Sequence, residues 1–230
     1  MPSLKELMGQ EIYDLIYTHY DVSGHKIDEL EDVLYCDDDD IDESRIEPLK
    51  SLLVPVSSAK ETLIPMKSAK LLAAWGVDSA VDYFEYCIEN RIDHLGNLEP
   101  HRLHSYDTTY EEITDSLLHF WARYADRSKA DEGLKKIKPL ILDILLLAQE
   151  LPYNMSYIIP TIHKEDWRFC ENRLKECFVL FLDKEEKHRN DYWNIIDLKI
   201  LFKDWDPSFL NKIESQYGFI EIPENAKDQL

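Results

Sequence analysis

Apolar residues recur along the chain at spacings of three and four, the mark of one buried helix face. Leu4, Leu7, Met8, Ile12, Leu15 and Ile16 form the first such face. Ser3 stands before it and Glu6 follows three residues on, a capping box that starts a helix. Tyr20 to Gly24 ends it. Ile27, Leu30 and Leu34 are spaced to line a short helix. Asp37, Asp38, Asp39 and Asp40, then Asp42 and Glu43, crowd like charges too closely for a comfortable helix and predict a solvated loop. A helix resumes near Ser44 and carries Ile46, Leu49, Leu52 and Leu53.

The middle of the chain reads as helical hairpins. Residues 57–75 hold Leu63, Met66, Leu71, Leu72 and Trp75, with Pro65 expected to kink or split the stretch. Gly76 fits a C′ cap and Asp78 an N-cap, and the next helix buries Val81, Phe84, Ile88 and Ile92. Residues 93–107 form a longer connection containing Gly96, Pro100, His101, Arg102 and His104. Thr108 or Thr109 starts a helix with Tyr110, Ile113, Leu117, Phe120 and Tyr124 on one side. Asp131 opens another with Leu134, Ile137, Ile141, Ile144, Leu145 and Ala148, bent at Pro139. Helices follow near 153–163, 165–187, 191–203 and 207–217; Leu174, Cys177, Phe178 and Phe181 face inward on the second, and Pro207 suits the first position of the last. No stretch shows strand alternation. Helix pairs begin near 57, 108, 153 and 190, an uneven spacing that predicts an irregular all-α stack of antiparallel helix pairs. Three segments are expected: an acidic helical region 1–56, a stack of hairpins 57–220 and a polar, frayed tail 221–230.

Composition sharpens this. Apolar residues are 44% of 230, and 13 Tyr, 8 Phe and 5 Trp argue for a packed core and against disorder. Six glycines are too few for a Walker loop or a dinucleotide fingerprint. The net charge is −20, and it is lopsided: residues 1–50 hold 15 acidic and 4 basic side chains, residues 101–200 hold 18 and 15. Such a surface repels nucleic acid and anionic membranes and attracts basic proteins. The four cysteines form no C-x-x-C pair. Cys170 and Cys177 lie two helical turns apart, about 10 Å and too far for a disulfide, so reduced buried thiols are expected. The N-terminus has no signal-peptide pattern and no apolar run approaches about 18 residues, which together predict a cytoplasmic location.

Catalytic patterns are weak or missing. Ser57-x-x-Lys60 matches a four-residue acyl-transfer motif without its companions and reads as a helix cap beside an exposed lysine. Glu185-x-x-His188 occurs once where di-iron bundles need two, and reads as a solvated helix end. His101 and His104 lack an obvious third metal ligand. A calcium loop starting at Asp38 fails, with Glu43 at position 6 and Leu49 at position 12. Trp167, Arg168 and Phe169 read as core packing. No cofactor and no metal are expected.

Ser68 to Gly76, followed by Val77 to Phe84, resembles a HEAT-type repeat, in which an apolar helix ends at a small residue and a second opens after an Asp. Leu98 to Asp107 and Thr109 to Ile113 resemble bacterial HEAT-like immunity proteins, encoded beside polymorphic or contact-dependent toxins. The resemblance spans about residues 57–165. It implies an α-solenoid-like single domain and a non-enzymatic protein that is monomeric alone and occludes a cognate, basic, nuclease-type toxin 1:1. The contacts expected are Asp37 to Asp40, Asp42 and Glu43, then His101, Arg102 and Tyr106. The alternatives are a helical scaffold or adaptor for a basic protein or peptide, and a helical enzyme using the His101/His104 loop.

Overall fold

Ser3 caps the first helix as its spacing from Glu6 requires: Ser3 Oγ accepts from Glu6 N at 3.3 Å and the Glu6 carboxylate accepts from Ser3 N at 2.7 Å. The computed structural model describes residues 3–20, 25–27, 33–101, 106–185 and 187–221. The expected long first helix breaks at Gly9, whose φ of +81° is open to glycine at low cost. It becomes α1 (Leu4–Met8) and α2 (Gln10–Tyr17). Met8 and Ile16 are buried, whereas Leu4 and Leu7 are exposed. The chain leaves α2 in extended conformation at Thr18, and His19–Tyr20 (β1) pairs antiparallel with Lys26–Ile27 (β2). Ile27 is therefore in a strand and not the short helix expected there; Leu30 lies outside the described residues. The Lys26 ammonium secures the hairpin on Asp14 at 2.9 Å.

Around this two-residue pair the described chain is helical. After α3 (Ile46–Ser51) comes the hairpin of α4 (Leu63–Ala74) and α5 (Asp78–Glu89). Pro65 neither kinks nor splits α4. It is the third residue of the helix, where the missing N–H has no intrahelical partner to lose. Gly76, at φ +73°, closes α4: its N–H reaches Ala73 O and the Val77 N–H reaches Leu72 O, both at 2.9 Å. Asp78 is not the cap of α5 but its first residue, and its carboxylate accepts instead from Lys136 Nζ at 2.6 Å and Tyr124 OH at 2.7 Å. Thr108 precedes α6 (Thr109–Asp126) without capping it, its Oγ1 donating instead to Glu99 O at 2.8 Å, and α7 (Ala130–Leu147) runs through Pro139. Gly133 lets the two helices approach, since a Cβ there would meet Tyr124 Cβ at 2.7 Å.

The chain divides into two units, Met1–Thr109 with Ser116–Leu140, and Tyr110–Asp115 with Ile141–Leu230. In the first, α2, α3 and α5 pack on α4, around Ile16, Leu49, Leu71, Leu72 and Phe84. The boundary expected after residue 56 falls inside this unit. In the second, α8 (Ile159–Lys164), α9 (Glu171–Asp183) and α11 (Pro207–Tyr217) all pack on α10 (Arg189–Trp205). Phe178 and Phe202 stack there at 6.0 Å, and Leu174, Cys177 and Phe181 are buried as their spacing predicts. Pro207 opens α11 behind Asp206, whose carboxylate accepts from Phe209 N at 2.9 Å. Among the described residues no helix is long and apolar enough to cross a membrane.

Candidate partner-binding face

The acidic segment is held from below by arginines. The last carbonyls of a helix lack intrahelical partners and carry its negative end, so cationic donors suit them. Arg123 Nε donates to Ala74 O at 2.9 Å and Arg127 Nη2 to Trp75 O at 3.1 Å, closing α4. The same guanidinium groups continue outward. Arg123 Nη2 donates to Cys36 O at 2.7 Å, and both arginines bond the Asp38 carboxylate at 2.7–3.2 Å. The Arg127 bonds hold the Asp38 carboxyl below the usual carboxylate range. Gly76 is required a second time here, because a Cβ would stand 2.7 Å from Arg127 Nη1. Trp75 Nε1 adds a bond to Val33 O at 2.9 Å.

The far side of the segment is held in the same way. Arg45 donates to Leu15 O and Thr18 O, the open carbonyls of α2, and its guanidinium lies 5.2 Å over the Trp75 ring. Asp42 caps the turn Glu43–Arg45 by accepting from Ser44 N at 3.1 Å. The run expected to be a loop is thus two 3₁₀ turns, Asp38–Asp40 and Glu43–Arg45. Of the six expected acidic contacts, Asp38 and Asp42 are engaged internally. Asp37, Asp39, Asp40 and Glu43 are exposed.

The face is concave on one side. A cleft of about 540 Å³ is lined by Asp40 and Asp42 together with Glu11, Asp14, Lys26 and Arg45. Lys26 is taken by Asp14, whose carboxyl that bond pulls down to about 2, and Arg45 is held on backbone carbonyls. Glu11 and Asp14 join the acidic patch only through the fold, and sequence reading missed them. The arginines that secure Asp38 left one trace in the sequence, their spacing of four on a helix face.

His101 and Tyr106 meet each other: the rings stack at 5.0 Å and His101 N donates to Tyr106 O at 2.8 Å. Tyr106 is buried, so most of its ring is turned away from solvent. Arg102 and His104 lie outside the described residues. Asp107 ties the base of the connection, its carboxylate accepting from Leu98 N, Glu99 N and Thr109 Oγ1.

The weaker motifs have local partners. Ser57 Oγ donates to Glu61 at 3.0 Å. His188 is the N-cap of α10, where its Nδ1 accepts from Asn190 N at 3.2 Å. All four cysteines are buried thiols outside any disulfide, and burial pushes the Cys87 and Cys177 thiols up to about 12. No cluster of three metal-ligating side chains occurs among the described residues. Compared with protein-family models, curated proteins and solved structures, the chain has no match.

Proposed function

We propose that this chain is an immunity-type protein that binds a cognate basic toxin domain and occludes its active site, without catalysis of its own. Its helix pairs would form the irregular HEAT-like stack that its resemblance implies. The observation that carries the reading is the anchored acidic face. Asp37, Asp39, Asp40 and Glu43 face water on a segment that Arg123 holds at Cys36 O, Arg127 holds at the Asp38 carboxylate and Arg45 ties to the end of α2. Acids ordered before contact lose less freedom on binding. They also steer a cationic cleft toward themselves over a distance that salt shortens.

The test is association with the product of the adjacent upstream gene, measured at several salt concentrations and scored in parallel by growth rescue on co-expression. Replacing Asp37, Asp39, Asp40 and Glu43 together by Ser is expected to slow association by roughly tenfold or more at low salt and to flatten its salt dependence. The helical circular dichroism should not change. An unaltered on-rate removes the segment from the interface, and absence of both binding and rescue ends the immunity reading.

A further inference from the structure

We propose that the first unit also binds a small amphiphile, an apolar body with an anionic head, of which decanoate is the simplest example. This inference does not rest on the partner reading. The site is a cavity of about 560 Å³, within the size range of small-molecule pockets. Leu7, Ala59, Leu63, Ile64, Met66 and Leu98 supply apolar wall. Leu7 is 56% exposed, so apolar surface at this cavity faces water that a ligand would displace.

The polar wall groups are engaged within the protein. Thr62 Oγ1 donates to Ala59 O at 2.8 Å and Thr109 Oγ1 to Asp107 at 2.9 Å. The Glu99 carboxylate pairs with Lys67 at 2.8 Å, and the two charges cancel. Lys60 remains, exposed on the turn Ala59–Glu61 and bonded to nothing among the described residues. Its neighbour Glu61 keeps its negative charge, but the carboxylate is turned to Ser57 N and Oγ and makes no ion pair with Lys60. Among the described lining residues Lys60 is therefore the charge without an ion-pair partner, in a chain whose total is −20. Charges more than about 8 Å away are largely screened at physiological ionic strength, so Lys60 selects the head group.

Overall charge and local charge make opposite forecasts, which gives the test its power. Decanoate, 1-decanol and decylammonium are titrated into the whole chain at physiological salt, with backbone amide shifts as the readout. Decanoate should bind with one-to-one stoichiometry, roughly tenfold or more tighter than decylammonium, with shifts centred on α1, residues 59–66 and residues 98–99. Lys60→Glu should reverse the preference between the two ions. Leu7→Asp should weaken binding of decanoate and 1-decanol alike, about tenfold, with an unchanged melting curve. Both side chains are exposed, so neither variant threatens the fold. Decylammonium binding as tightly as decanoate overturns the proposal. So does uptake of many equivalents that Lys60→Glu leaves unaltered, or the absence of shifts at these residues with millimolar decanoate.

Discussion

The acidic segment at residues 37–43 and helix α10 are both rich in polar side chains, and water treats them oppositely. Asp37, Asp39, Asp40 and Glu43 keep their hydration and are exposed. In α10, Asn190, Asp191, Asn194, Asp197 and Lys199 are all buried. A buried polar group costs free energy unless something replaces its water. Asn194 meets that demand fully: Oδ1 accepts from Met155 N at 2.8 Å and Nδ2 donates to Tyr153 O at 2.7 Å. Asp191 takes Lys184 at 2.8 Å and also caps the helix through His188 N. Lys199 donates to Glu214 and to Ile220 O. Two groups are not matched: Asn190 Nδ2 is buried without a hydrogen-bond partner, and burial alone pushes the Asp197 carboxyl up to about 6. Charge left in water can be presented to a partner, whereas charge taken into a core is either matched there or costs stability.

The sharpest way to break this comparison is Asn194→Ala. It strands Met155 N and Tyr153 O in the core, at about 1–3 kcal/mol each, so a loss of about 3 kcal/mol is expected in urea unfolding. A loss well below 1 kcal/mol would mean that the turn at 153–155 does not depend on the amide.

Asp197→Asn should move stability the other way. The folded carboxyl is raised from 3.8 to about 6, so folding favours the protonated form. The penalty is absent below about pH 4, grows as pH rises and is complete above about pH 6. Two pK units correspond to about 3 kcal/mol, the gain expected for the amide at pH 7.5 and lost at pH 3.5. Unfolding curves at the two pH values check it, and an equal gain at both would show that the carboxylate is not the source.

The smallest effect belongs to the exposed region. A double-mutant cycle on Asp38→Asn and Arg127→Ala should give a coupling of about 1 kcal/mol or less, because the pair is partly exposed to solvent. The Asp38 carboxyl is held low in the folded chain, so this coupling is present above its ordinary range and disappears as pH falls through the lowered value. A coupling of several kcal/mol would make the pair a core element and erase the contrast with α10.

Legibility in the sequence followed the range of the interaction. The capping box at Ser3, the Gly76 terminus and Pro207 are readable because each depends on residues within about four positions. Gly9 was passed over because an unbroken apolar spacing hid it. The effect of Pro65 depends on the register of the helix start, which the apolar spacing does not fix. Helix α10 carried little amphipathic signal, because it is packed from several directions and its polar groups are inside.

By itself the sequence determined the helical class, the starts of α1, α5, α6, α7 and α11, the inward faces of α5, α6 and α9, and the lopsided charge. Tertiary structure decided which acids are free. Asp38 lies 89 residues from Arg127, and Asp40 shares its cleft with Glu11 from another helix. Caps and faces are set by neighbours along the chain, whereas the availability of a carboxylate is set by donors that only folding brings to it.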